Sequence, residues 1–357
     1  MKPLRYERGR LEILDQTLLP ARERWIGIAG AEAMAEAIGA LRVRGAPAIG
    51  IAAALALAVE ARGAAGAAGE GRTHGAGPGA LARLERAAAL LRASRPTAVN
   101  LAWACARMTG VARDAGAEGE PGGAAWAERL EAEALAIWRE DLEASAAMAR
   151  HGAALFPRAT RFLTHCNTGG LATGGGGTAL GVLLELHRRR EGGIEVWATE
   201  TRPLLQGARL TAWELRRAGV ETRLVTDGAA AYTIERRGIE GVLVGADRIA
   251  RNGDVANKIG TYALALAARA SGIPFVVVAP TSTLDAASAT GADIRVEERD
   301  SSEVTAFAGV PTAPEGVLAE NPAFDVTPHE LVTAVVTEFG SNRTPGELFQ
   351  RCNEPGR

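Results

Sequence analysis

The sequence predicts an α/β protein, with a mainly helical N-terminal domain carrying a small β element, followed by a parallel sheet flanked by helices. Three observations carry that expectation. Up to about residue 155 apolar residues recur at three- and four-residue spacing. After Pro157 short β-branched runs alternate with helical stretches. The 357 residues exceed one minimal core, at about 150 residues per domain.

Taken in order, residues 11–28 alternate apolar and polar side chains and end in glycine punctuation, as expected of a small β element or an arm. Residues 31–41, 46–61, 81–91 and 99–111 show the helical period. The stretches ARGAAGAAGEG (61–71) and DAGAEGEPGGAAW (114–126) are so rich in alanine and glycine that they read as flexible loops. Residues 127–155 continue the helical period without a proline, as one long helix or two consecutive ones, and Pro157 ends it. Domains are therefore expected at 1–126 and 127–357, the second entered through this helix. The strands follow as RFLTHC (161–166), EVWATE (195–200), TRLVTD (222–227), GVLVGADRI (241–249), PFVVVAP (274–280) and IRVEE (294–298). Helical stretches between them supply the crossovers that parallel strands require. Ligands of open α/β sheets bind outside the carboxyl ends of the strands, and those ends carry Cys166, Glu200, Asp227 and Asp247.

Forty basic residues against forty-two acidic ones leave no overall electrostatic footprint for nucleic acid or an anionic membrane, so a small-molecule partner is expected. The N-terminal MKPLRYERGRLEIL is charged throughout where a signal peptide is apolar, and no segment is expected to reach the roughly 18 apolar residues of a membrane span. Three cysteines without CxxC or Cys/His ligand spacing argue against a disulfide framework and a structural zinc site. A cytoplasmic protein without metal or cofactor is the expectation.

Chemistry concentrates in a few stretches. In THCNTGGLATGGGGTALGVL (164–183), Cys166 lies between His165 and Asn167, either as a small packing residue or as a nucleophile or base whose thiolate is stabilised by polar neighbours and helix amides. The glycine run superficially matches a dinucleotide fingerprint, but about eleven residues separate Cys166 from the helix beginning near Thr178, too many for that turn. It offers unhindered N–H groups to a phosphate, or serves as a mobile linker. In VGADRIARNGDVANKIGTYALA (244–265), Asp247 follows a buried strand, where burial would suit a general acid, or it is a turn residue, as Asp254 is. Asn257 and Lys258 bind an anion or begin a helix near Lys258. In RVRGAPAIG (42–50) and SRPTAVN (94–100), Arg44 and Arg95 stand before prolines that open fresh helices, as anion clamps or as surface arginines. TETRPLLQGARLTAWEL (199–215) adds Arg202 and Gln206, the latter bonding a sugar hydroxyl or solvent.

Together with ILDQTLLP (13–20) and NPAFDVTPHELVTAVVTE (321–338), these stretches resemble the methylthioribose-1-phosphate isomerase family of methionine salvage, from about residue 11 to about residue 340. The resemblance implies a Rossmann-like second domain, a homodimer and a sugar-phosphate substrate. It places the catalytic cysteine on Cys166 and the catalytic acid on Asp247. Substrate-binding positions fall on Arg44, Gly45, Ala46, Arg95, Gln206, Asn257 and Lys258. Relatives acting on 5-deoxyribose 1-phosphate or ribose 1,5-bisphosphate are alternatives, and so is a non-catalytic regulatory protein related to initiation-factor subunits. One departure is visible: the family pattern GALATAGYGTALGV is here GGLATGGGGTALGV, which implies a more mobile loop.

Overall fold

The computed structural model describes residues 1–69, 78–96, 98–119, 121–307, 309–342 and 349, with the side chains of 66–69 and 78 left aside. The chain forms two compact units, Met1–Glu143 with Gly170–Gly176, and Ala144–Gly169 with Gly177–Arg357.

The first unit opens on an antiparallel meander of β1 (Leu4–Glu7), β2 (Arg10–Leu14) and β3 (Trp25–Ile28), the small β element expected from the alternation. Helices α1 (Ala31–Gly39), α2 (Ala46–Gly69), α3 (Pro78–Ser94), α4 (Val99–Glu118) and α5 (Ala124–Ala154) follow. Its core gathers Leu11 and Ile13 of the meander, Met34 and Ile38 of α1, Leu55 and Leu57 of α2, Leu101 and Met108 of α4, and Trp126 and Leu130 of α5. Two expected loops are largely helix: 61–69 completes α2 and 114–118 completes α4, leaving 119 and 121–123 outside the helices and 70–71 and 120 outside the described residues. Packing of an apolar helix face outweighs the low propensity of its glycines. A further expectation is corrected by α2. The segment Ala46–Ala65 is apolar and long enough to cross a membrane, with a mean hydropathy of 1.6, and 67 % of it is buried inside the protein. It is hydrophobic all round because it is a central core helix.

The long helix expected at 127–155 is a single helix, α5. The compact units divide within it, after Glu143, and not at residue 126, because Trp126, Leu130 and Ile137 belong to the first core whereas Met148 and Ala153 belong to the second.

The second unit continues with β4 (Arg161–Thr164), α6 (Ala179–Arg189), β5 (Glu195–Thr199), a π-turn over Gly207–Thr211 leading into α7 (Ala212–Arg217), β6 (Glu221–Val225), α8 (Ala230–Arg236) and β7 (Gly241–Val244). After it come β8 (Arg248–Ala250), β9 (Val255–Lys258), α9 (Thr261–Ala270), β10 (Phe275–Val278), β11 (Leu284–Asp285), the short α10 (Ser302–Thr305) with the hairpin β12 (Ala306–Phe307) and β13 (Val310–Pro311), then β14 (Phe324–Thr327), β15 (Ala334–Thr337) and β16 (Gly340–Asn342). Seven strands form one sheet in the order β16-β15-β10-β7-β4-β5-β6, parallel throughout except β16. Strands β8, β9, β11 and β14 form a second, smaller sheet.

The pleat sends alternate residues to opposite faces, and two cores result. Phe162, Val196, Leu243 and Val276 pack with Leu180 and Leu183 of α6 and Leu215 of α7. Leu163, Trp197, Val242 and Val277 pack with Ile234 of α8 and Leu264 of α9. Phe162 meets Phe156 edge to face, with ring centroids 5.2 Å apart.

Two strand expectations need correction. IRVEE forms no strand among the described residues; one isolated bridge, Glu298 to Pro322, is all the pairing there, and Glu297 and Glu303 instead pair with Arg299. GVLVGADRI is two strands, since the chain leaves the large sheet at Gly245 and enters the small one at Arg248.

Candidate functional site

Chain order explains where a site forms in the second unit. From β4 the chain winds outward through β5 to β6, then returns to the other side of β4 to lay down β7 and β10. The carboxyl ends of β4 and β7 therefore flank the topological switch point, the place where open α/β sheets bind their ligands. Thr164 pairs with Leu243 in that register. Two residues beyond Thr164 stands Cys166, and four beyond Leu243 stands Asp247. The exits stay together: a Cβ on Gly245 would lie 2.8 Å from the γ-methyl of Thr168, so only glycine permits this approach.

Cys166 is 8 % exposed and has φ +61°, the left-handed region that non-glycine residues seldom occupy. Its N–H donates to Thr201 Oγ1 at 2.9 Å, and its carbonyl accepts from Thr211 Oγ1 at 2.6 Å. The flanking side chains do not act as the sequence led us to expect. His165 is buried between Thr199 and the Ile259 carbonyl, with Nδ1 2.6 Å from Thr199 Oγ1 and Nε2 2.8 Å from the oxygen. A carbonyl only accepts, so Nε2 carries the proton and Nδ1 accepts from the hydroxyl. Burial pushes the imidazole pKa down, so it is neutral and supplies no cation to a thiolate. Asn167 Nδ2 donates to Thr211 Oγ1 at 3.1 Å and to Glu214 Oε1 at 2.8 Å. His165 thus ties to the Ile259 backbone, and Asn167 to the side chains of Thr211 and Glu214.

Asp227, at the end of β6, accepts from the N–H groups of Thr201 at 2.8 Å and Arg202 at 2.7 Å, fixing the turn that brings Thr201 to Cys166. Gln206 follows at the head of the π-turn, 5 % exposed, with its Oε1 buried and without a hydrogen-bond partner. An orphaned acceptor beside the switch point suits a ligand hydroxyl.

Asp247 is half-buried, and its N–H donates to the Ala256 carbonyl at 3.0 Å. That bond continues the β8–β9 hairpin, so Asn257 and Lys258 lie on strand β9 and not at a helix start; α9 begins only at Thr261. Asn257 Nδ2 donates to Thr261 Oγ1 at 3.0 Å, and Lys258 Nζ donates to the Ala323 carbonyl at 2.8 Å and lies 4.6 Å from the centroid of Phe324. Asp325, paired with Asn257 across β9 and β14, accepts from the N–H of Gly260 at 2.7 Å and from that of Tyr262. Burial pushes its pKa up to about 6 despite those donors.

In the first unit, Arg44, Gly45 and Ala46 lead into α2, with Pro47 in its first turn. Gly45 has φ +96°, and a Cβ there would lie 2.5 Å from the Ala172 backbone. Arg95 occupies the turn after α3, four residues ahead of α4, with its carbonyl accepting from Ala98 N–H at 3.1 Å. The glycine-rich segment belongs to this unit and is pinned. Gln16 Nε2 donates to the Leu171 carbonyl at 2.9 Å, Trp138 Nε1 to the Gly174 carbonyl at 2.7 Å, and Gly174 N–H to Asp141 Oδ2 at 2.7 Å. The loop expected to be mobile thus has fixed partners at Leu171 and Gly174. Donors at the start of α6 are also engaged within the second unit: Thr178 N–H bonds the Thr168 carbonyl, and Leu180 N–H its Oγ1.

Among the described residues, Asp254, His329 and Glu330 have ligand atoms close enough to share a metal. The Asp254 oxygens already accept from Asn252 Nδ2 and from the N–H groups of Gly291 and His329, which makes it the turn residue its sequence context predicted. The sequence offered Asp227 only as a strand-end residue, and it missed Thr201 and Thr211 as supports of Cys166. Their one signal was Gly207 within an otherwise helical pattern, a mark of close backbone approach.

A mostly parallel sheet with a cysteine and a carboxylate at its switch point defines an α/β protein of the kind that binds small molecules at such points. The chain belongs to the Initiation factor 2 subunit family, whose profile matches residues 42–344. It is 51 % identical over 360 residues to a methylthioribose-1-phosphate isomerase of Desulforudis audaxviator, covering 100 % of this chain and 99 % of that one. A similarly named protein of Anaeromyxobacter dehalogenans is 54 % identical, covering 97 % and 95 %. Among solved structures, the 5-methylthioribose 1-phosphate isomerase of Pyrococcus horikoshii superposes with a TM-score of 0.87 at 39 % identity, covering 98 % and 96 %. A translation initiation factor eIF-2B delta subunit from A. fulgidus superposes at 0.81 with 37 % identity, covering 98 % and 97 %.

Proposed function

We propose that this protein is an aldose–ketose isomerase that converts 5-methylthioribose 1-phosphate to 5-methylthioribulose 1-phosphate in methionine salvage. The observation that carries this reading is identity near one half, over essentially the whole chain, to proteins named for that activity. Cys166 and Asp247 at adjacent strand ends fit it.

A phosphate on C1 prevents the ring from opening through a free anomeric hydroxyl, so the enzyme itself must break the C1–O4 bond. Asp247 is proposed to protonate O4, leaving C1 electron-poor as that bond breaks. Hydrogen then passes from C2 to C1. Cys166 either removes it as a proton and returns it to C1, or stabilises charge during a hydride shift. The C2 hydroxyl loses its proton as the ketone forms, which balances the proton given to O4. No net oxidant or reductant is consumed. Gln206, Asn257 and Lys258 are proposed to bind the substrate, and so are Arg44, Gly45, Ala46 and Arg95. A dry site protects C1 from water and strengthens the field of fixed groups. A cytoplasmic homodimer that binds neither nucleic acid nor membrane completes the proposal.

The test is direct. Purified protein with 5-methylthioribose 1-phosphate should yield the ketose, with 5-deoxyribose 1-phosphate and ribose 1,5-bisphosphate as competing substrates. Cys166→Ser and Asp247→Asn should each lower turnover at least about 10³-fold with an unchanged circular dichroism spectrum. Near-normal rates in either variant would discredit its role.

A further inference from the structure

We propose that Thr211 is a positioning residue for Cys166, and that the π-turn exists to deliver it. The inference rests on the catalytic role of Cys166 proposed above, and concerns a residue that role does not include.

Cys166 is held where its own backbone preference would not keep it. A left-handed non-glycine residue persists only when its surroundings over-determine it. Two hydroxyls do so here, one on each side: Thr201 Oγ1 accepts the Cys166 N–H, and Thr211 Oγ1 donates to the Cys166 carbonyl. Both threonines are almost wholly buried, at 0 % and 1 % exposure. The Thr211 hydroxyl has a single proton, which goes to that carbonyl, and its lone pairs accept from Asn167 Nδ2 at 3.1 Å. Asn167 is in turn held by Glu214 at 2.8 Å. The donor direction is therefore settled by the chain of partners, and the Cys166 carbonyl has a fixed donor at 2.6 Å.

The backbone explains how Thr211 reaches that carbonyl. In an α-helix residues five apart point about 140° away from each other. Here the Ala212 N–H bonds the Gly207 carbonyl, an i→i+5 closure that brings residues five apart towards one face. Gln206 and Thr211 are five apart, so one π-turn serves both the orphaned Gln206 oxygen and the Cys166 carbonyl. Its first residue must be glycine, because a Cβ on Gly207 would collide with the Thr199 carbonyl oxygen.

Three variants test the proposal: Thr211→Val, which keeps shape and loses the hydroxyl; Thr211→Ser, which keeps the hydroxyl and loses the methyl; and Thr211→Ala, which repeats the hydroxyl deletion without the valine's bulk. Two readouts are used: kcat and KM for isomerisation, and the rate of Cys166 alkylation by iodoacetamide resolved by peptide mass spectrometry. Without its hydroxyl the enzyme should lose about 10²-fold in kcat, the cost of displacing a reacting group by about 1 Å. KM should stay within about threefold, and Thr211→Ser should stay within about threefold of wild type in both constants. The alkylation rate should change several-fold in Thr211→Val and Thr211→Ala, but not in Thr211→Ser. Equal impairment of serine and valine variants, or wild-type kcat and alkylation in the folded valine or alanine variant, would overturn the proposal. A wild-type protein inactive on the sugar phosphate would overturn the functional reading alone, because the alkylation series still tests the positioning.

Discussion

Gly245→Ala asks whether the exits of β4 and β7 act as one site. The added Cβ would lie 2.8 Å from Thr168 Cγ2 and 3.5 Å from Thr178 Oγ1. Ordinary carbon–carbon contact needs about 3.5–4.0 Å, so the two exits must part by roughly 0.7–1.2 Å. Overpacking of this kind costs about 1–3 kcal/mol of stability. The same displacement separates the limb carrying Cys166 from the limb carrying Asp247, and about 1 Å of misplacement is worth about 10²-fold in rate. Thr168→Ser removes the obstructing methyl but keeps the oxygen that accepts from Leu180 N–H at 3.1 Å. We therefore expect kcat in Gly245→Ala to fall about 10²-fold, and the double variant with Thr168→Ser to recover most of that loss. Steady-state kinetics and urea unfolding of all four proteins complete a double-mutant cycle, with an expected coupling of at least about 1 kcal/mol. Additive effects, or full activity in Gly245→Ala, would refute the reasoning.

Other consequences can be measured directly. Asp325 titrates near 6 in the folded protein against 3.8 in a model peptide, so it favours folding fully below pH 3.8, and that contribution is lost as pH rises through 6. The difference is about 3 kcal/mol. Asp325→Asn should therefore flatten the stability profile between pH 4 and 6 in denaturant titrations, and an unchanged slope would count against the burial argument. Gly45→Ala forces a Cβ to within 2.5 Å of Ala172 at φ +96°, so hydrogen exchange across 170–176 should speed up at least about tenfold. Phe162→Ala empties a site of 0 % exposure beneath the parallel sheet and should cost about 3–5 kcal/mol in urea unfolding.

Some elements were legible in the sequence because local signals and final environment agree. Strands β4, β5, β6, β7 and β10 are short β-branched or apolar runs closed by polar or Gly/Pro turns, and the ends of β4 and β7 gave Cys166 and Asp247. Where composition spoke against packing, the reading failed: residues 61–69 look like linker yet complete α2. Lys258 looked like a helix start because its strand pairing depends on β14, some 65 residues later, a contact that no local window contains. The π-turn was illegible for a related reason. Its first residue, Gly207, sits where a Cβ would meet the Thr199 carbonyl oxygen, and only the folded chain brings the two together.

The segment Gly170–Gly176 carries a consequence for how the molecule is made. Gln16 and Trp138 wait for carbonyls at Leu171 and Gly174, groups that a ribosome produces well after the helices themselves. The N-terminal half therefore emerges with open sockets and is finished only when later sequence arrives to fill them. Severing the chain after α5 would leave those sockets empty, so a fragment ending there should emerge less compact than its counterpart in the intact protein.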